Sequence, residues 1–316
     1  MADGNKPSVF LCIIIAFLLK IYRDIIRRIC NMINVRTDLA VEAHEISKRE
    51  AAEIDGVISR VEQTGRITVT RVEITNENGE RALGKAQGNY ITIDAPDLKY
   101  SLEIYEKVCA IIADEIRKMA DITKGGVTLV AGLGNRDITP DALGTSVVSK
   151  LLITRHLKSS MSHIFGDNLG DVCAIAPGVS GTTGIETADI IKSIVERVRP
   201  NLIIAVDALA AADIERISNT IQISDTGIQP GAGVGNNRDG LSEKTTGVKV
   251  IAIGVPTVID ASTISKTEIP KELAPLMVTT KDIDLVIERS AKTVANGINL
   301  ALHSGMSLRD VESLVG

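Results

Sequence analysis

Four nearly unbroken apolar runs, Val127–Ala131, Val172–Ala176, Leu202–Val206 and Val248–Ile253, constrain the fold of this chain more than anything else in it. A strand that faces water on one side alternates apolar and polar residues. Runs without that alternation read as strands covered on both faces. Helical stretches at about 141–156 and 184–198 and a mixed polar segment at 208–247 separate them. Strand and helix therefore alternate, which predicts a three-layer α/β fold with a mostly parallel central sheet flanked by helices. The alternating, β-branched segment Arg66–Ile74 and a helix over Leu98–Met119 form an amino-terminal strand and helix extension, and a helix near Thr280–His303 closes the chain.

Composition removes several classes of function. The 316 residues carry a formal charge of -5, no Trp, three Phe and four Tyr. The core is aliphatic, bases would find few stacking platforms, and no direct nucleic-acid binding is expected. Cys12, Cys30, Cys109 and Cys173 are far apart and form no C-x-x-C pair, so neither a zinc cluster nor a disulfide framework is indicated and a reducing compartment fits.

The first residues differ from the rest. Val9–Leu19 is eleven apolar residues followed by Lys20, Arg23, Arg27 and Arg28, short of the roughly 18 to 20 that cross a bilayer. Three readings stay open for 1–31: a start assigned too early with initiation at Met32, an amphipathic surface helix, or an export signal. No membrane span is expected.

In open α/β sheets the chemistry collects past the carboxyl ends of the strands. The first such loop, Gly132-Leu-Gly-Asn135, resembles the start of a dinucleotide fingerprint, but Asp137 stands where its third glycine would be, which argues against a nucleotide. The second, Pro177–Gly184, reads as a tight turn, an anion cradle or a grip on a peptide backbone. Gly134, Asn135, Gly178, Ser180, Gly181 and Thr182 are the candidate substrate-binding residues of the two loops. Two carboxylates follow strands: Asp141 after the first loop and Asp207 directly after Leu202–Val206. A pair of aspartates sharing one water and one proton can hydrolyse a bond by acid and base catalysis. Asp141 also has a purely structural reading, with Thr139 as helix N-cap, Pro140 at the first helical position and the carboxylate in the first turn.

The strings Asn34–Ala43, Thr139–Gly144, Leu152–His156, Pro177–Thr187, Asp207–Ala211 and Thr220–Ile228 together closely resemble the spore germination protease family, from about residue 34 to the carboxyl end. The resemblance implies a fold similar to that of hydrogenase maturation peptidases. It implies an atypical aspartic endopeptidase that starts the degradation of small acid-soluble spore proteins during germination. The enzyme would be a homotetramer in the forespore or spore core cytoplasm, made as a zymogen. By their motifs, Asp141 and Asp207 fall on the family's catalytic pair, and Thr37–Ala43 on its processing site, which places autocatalytic cleavage between Asp38 and Leu39. The resulting division is a leader 1–31, a propeptide 32–38 and a single peptidase domain 39–316. Departures from the family pattern are Gln229 before Pro230, Ala212-Asp213 after Asp207–Ala211, and a short segment between Asp260 and Leu276.

No cofactor is expected, and His156, His163 and His303 show no metal-ligand spacing with the aspartates. Three alternatives remain: on the residues, a non-catalytic peptide or anion binder of the same fold and a nucleotide-dependent oxidoreductase, and, by the resemblance to a related peptidase class, a metal-dependent maturation peptidase.

Overall fold

The computed structural model describes residues 37–48, 53–120, 122, 126–157, 169–229, 240–264 and 276–315. The chain divides into Met1–Arg36 and Thr37–Gly316. The apolar leader, propeptide residues 32–36 and His163 lie outside the described residues.

The strands are β1 (Val57–Thr64), β2 (Ile67–Ile74), β3 (Gly88–Asp94), β4 (Val127–Gly132), β5 (Asp171–Ile175), β6 (Leu202–Ala211), β7 (Thr220–Ser224), β8 (Lys249–Asp260) and β9 (Met277–Val278). The helices that carry the argument are α1 (Ala40–Lys48), α2 (Glu77–Leu83), α3 (Leu102–Met119), α4 (Leu143–Val148), α5 (Thr187–Val198), α6 (Ile283–Leu302) and α7 (Leu308–Val315). None of the described helices is long and apolar enough to cross a membrane.

The strands form one sheet in the order β1-β2-β3-β7-β8-β6-β4-β5, with β9 on β8. The four apolar runs supply its parallel block, β5, β4, β6 and β8. Every other pairing is antiparallel, so the sheet as a whole is mixed. The first antiparallel pair, β1 and β2, follows from local chemistry. The register Thr64↔Ile67 leaves a two-residue turn of Gly65 and Arg66, and Gly65 takes the positive φ of 63° that such turns demand.

Successive side chains of β6 point to opposite faces, and both faces are covered. Leu202, Ile204 and Val206 pack with Val130, Ile251, Ile253 and the apolar faces of α3, α4 and α6. Ile203 and Ala205 pack with Leu129, Ala131, Val250 and with Ala188, Ile191 and Val195 of α5. Helix α3 buries Ile104, Val108, Ile112 and Ile116, spaced four apart on one face, and opens with the Ser101 hydroxyl accepting the Ile104 N–H at 3.3 Å. Helix α4 lies closer to the sheet than a side chain allows. A Cβ on Gly144 would stand 2.4 Å from the backbone of both Leu133 and Val206.

Candidate active site

The two halves of the parallel block end at different heights, and that offset creates the site. Strand β4 stops at Gly132↔Val206 and its successor Leu133 donates to the Val206 carbonyl at 2.8 Å. Strand β8 continues beside β6 as far as Ala211↔Ile259. Asp207 is thus the first residue of β6 without a β4 neighbour. The sequence expectation ended this strand at Val206, before the aspartate. The structure corrects this: β6 runs on to Ala211, because β8 supplies ladder partners for four more residues past Asp207. Asp207 is 4% exposed and its Oδ1 accepts the N–H of Ala208 at 2.9 Å.

Asp141 is carried by the loop that leaves β4. Gly134 turns the chain at φ 98°, where a Cβ would meet the Asp141 carbonyl oxygen at 2.0 Å. The loop then closes as a single 3-10 turn, Thr139–Asp141, tied to β8 by the Thr257 hydroxyl donating to the Pro140 carbonyl at 2.7 Å. Thr139 lies inside this turn and is not an N-cap, which corrects the capping expectation; Ile138 precedes the turn and Ala142 precedes α4. The Asp141 carboxylate accepts the Asn135 N–H at 2.8 Å, so it closes its own loop across six residues.

Asp141 and Asp207 both line one cleft of about 1840 Å³. Of the candidate substrate-binding residues, Gly134, Asn135 and Gly181 are on its wall. Gly178, at φ 77°, starts the turn behind Gly181, and the Thr182 hydroxyl donates to Val179 at 2.9 Å within the one-turn helix Ser180–Thr183. Ser180 is the first residue of that helix. The exposed His156 lies in the segment after α4, and the buried His303 faces the Leu152 carbonyl from Nε2 at 3.1 Å. Among the described residues no three His, Cys, Asp or Glu side chains converge as a metal site.

The segment around Asp38 and Leu39 enters the same cleft. Asp38 N–H donates to the Ala210 carbonyl at 2.9 Å, and Ala210 N–H donates back to Asp38 Oδ2 at 2.8 Å. Gln222 of β7 accepts the Ala40 N–H at 2.7 Å and donates to the Asp38 carbonyl at 3.1 Å. Leu39, fully buried, packs with Val41, Leu209 and Ala211. The Glu42 carboxylate accepts the N–H groups of Ala212 and Asp213 at 2.7 and 2.9 Å, and the Thr37 hydroxyl donates to it. Burial pushes the carboxyls of Asp38 and Glu42 above their ordinary range. The Ala210 N–H and the Lys85 charge oppose that rise at Asp38; Thr37, Ala212, Asp213 and Arg216 oppose it at Glu42. Burial pulls the Lys85 ammonium down against the attraction of Asp38 and Glu42, while its Nζ donates to the Thr37 carbonyl at 3.2 Å.

Gln222 and Ala210 lie within the strings Thr220–Ile228 and Asp207–Ala211, but neither they nor Lys85 were named from sequence as site residues. Gln222 is 184 positions from its Asp38 partner, and nothing local to either marks the contact.

The family model described as germination protease matches residues 34–274. A germination protease from Clostridium perfringens is 44% identical over 326 residues, covering 90% of this chain and all of that one. Another from Geobacillus sp. is 50% identical over 252 residues, 76% of this chain and 67% of that one. Among solved structures, the NiFe hydrogenase maturation protease HycI from Thermococcus kodakarensis aligns with a TM-score of 0.30 and 21% identity, over 56% of this chain and 96% of that one.

Proposed function

The chain belongs to the germination protease family, and on that premise we propose that it is an atypical aspartic endopeptidase that opens the degradation of small acid-soluble spore proteins when a spore germinates. The observation that carries the proposal is the shared cleft: Asp141, from the loop after β4, and Asp207, from the neighbouring strand where it outruns β4, both face it.

In this reading the pair activates one water. Asp141, whose anion is favoured by the Asn135 N–H, takes the proton from the water, and Asp207, held in an apolar strand, carries the shared proton to the scissile carbonyl. The water oxygen bonds to the carbonyl carbon, the C–N bond breaks, and the leaving nitrogen takes up a proton. No cofactor takes part. The loop residues Gly134 and Gly181 offer backbone to an extended peptide, and Asn135, whose N–H holds Asp141, lines the same wall.

The amino-terminal segment is read as a propeptide whose cut lies between Asp38 and Leu39. Its docking beside Asp207 supports that reading, since the bond in question rests on the same strand as the proposed acid. A homotetramer in the spore core completes the proposal. Asp141→Asn and Asp207→Asn should each abolish hydrolysis of a spore-protein peptide while leaving the thermal transition of the protein in place. Substantial activity in both variants would overturn the two-aspartate mechanism. Mass spectrometry of the mature protein should give Leu39 as its first residue.

A further inference from the structure

We propose that Glu42 is the receptor for the amino terminus that processing creates, so that the new ammonium of Leu39 pairs with the Glu42 carboxylate and pins the mature chain to the end of β6. The inference rests on the cut between Asp38 and Leu39 proposed above. In the uncut chain the two groups already share one atom. Leu39 N–H donates to Thr37 Oγ1 at 3.0 Å, and the same hydroxyl donates to Glu42 Oε2. Groups hydrogen-bonded to a common oxygen stand within roughly 6 Å of each other.

Hydrolysis adds water across the bond. Asp38 leaves as a carboxylate, Leu39 nitrogen becomes an ammonium, and Thr37 departs with the released strip. The Leu39 nitrogen then lacks its acceptor and Glu42 Oε2 lacks that donor, with the vacated hydroxyl position between them. Leu39 is fully buried and Glu42 is 3% exposed in the uncut chain, and the packing of the Leu39 side chain on Val41, Leu209 and Ala211 does not involve the released strip, so the new ammonium is held beside Glu42. A buried charge short of a partner is costly, and direct pairing removes that cost.

The spacing favours the pairing. Leu39 precedes α1 and Glu42 is its third residue, the offset at which a glutamate reaches back to the N-cap nitrogen. The positive end of α1 repels an ammonium, so the carboxylate is needed there. The Ala212 and Asp213 N–H groups hold Glu42 without help from Thr37, so it is the freed Leu39 amine that closes the remaining distance into the vacated hydroxyl position. Other charges face the site. Arg216 approaches Glu42 at 3.6 Å but is committed to Asp94 and Glu45 at 2.9 and 2.8 Å, and Lys85 loses the Thr37 carbonyl that it binds.

The test is competitive acetylation of the processed protein over a range of pH, reading the Leu39 amine by mass spectrometry, in parallel with Glu42→Gln. The wild-type amine should titrate above the roughly 7.7 to 8.0 of an ordinary α-amino group and react at least tenfold more slowly at neutral pH than the amine of the variant. Equal reactivity in both would overturn the inference and leave the processing site intact. If Glu42→Gln fails to fold, a wild-type Leu39 amine titrating at or below the ordinary value overturns it alone. A protein that never begins at Leu39 refutes the processing reading, and this inference falls with it.

Discussion

Gln222 grips Asp38 from 184 residues away, donating to its carbonyl at 3.1 Å and accepting the N–H of Ala40, two residues on, at 2.7 Å with the other end of the same amide. The two bonds bracket Leu39, and the first of them falls on the carbonyl of the peptide link between Asp38 and Leu39. Gln222→Ala leaves a buried donor and acceptor without that partner and should lower the unfolding free energy by about 1 to 3 kcal/mol, measured by urea denaturation of the full chain. A loss well under 1 kcal/mol would show that the bracket contributes nothing.

The docked segment should also grow weaker as pH rises. The folded Asp38 carboxyl titrates above its ordinary 3.8 and Glu42 above its ordinary 4.5, each because of burial. The folded protein therefore binds more protons than the unfolded one in the window starting at those values, and stability falls as pH climbs through it. Asp38→Asn removes Asp38's share of that slope. In an Asp141→Asn background, which on the present reading keeps the chain uncut, the melting temperature of Asp38→Asn relative to its parent should rise as pH increases from about 4 upward. A difference that is flat with pH would contradict the direction assigned to Asp38.

Leu39 is fully buried against Val41, Leu209 and Ala211. Leu39→Ala should cost about 2 to 5 kcal/mol, and limited proteolysis should then cut the amino-terminal segment first. Unchanged protease resistance would mean that the segment is held by its polar contacts alone.

Gly144→Ala tests the approach of α4 to the sheet. Its Cβ would meet backbone atoms of Leu133 and Val206 at 2.4 Å, and backbone cannot rotate away as a side chain can. The expected cost is about 1 to 3 kcal/mol, and the shift of α4 should displace the Asp141 turn and reduce peptidase activity more than tenfold. Full activity in a stable Gly144→Ala variant would show that the turn is positioned by other contacts.

The parallel block was legible because strands covered on both faces write themselves as continuous apolar runs, and Asp141 and Asp207 stood out as acids at the ends of such runs. The continuation of β6 past Asp207 was not legible, since the charge interrupts the run at the point where one neighbour strand stops and the other goes on. Strands β3 and β7 were hidden for a related reason. Thr92, Thr220 and Gln222 are polar yet buried, held in an antiparallel pairing between segments 130 residues apart that no local period encodes. The Arg216 cluster with Asp94, Glu42 and Glu45 was equally out of reach, because four charges from three distant stretches of chain give no spacing to read.

The offset between β4 and β8 has a consequence for how insertions would act here. Along the open side of β6, Val206 is taken by Leu133 and Ala210 by Asp38, two positions of the same parity, and just past its end Ala212 and Asp213 are taken by Glu42. A strand works as a ratchet with a two-residue tooth. One residue added between Asp207 and Ala210 would turn those groups toward β8 and break the phase between the acid and its dock, whereas two would restore the phase and lengthen the gap by about 7 Å. A single inserted residue here should therefore undock Asp38 from β6, whereas a pair should leave it docked farther from Asp207.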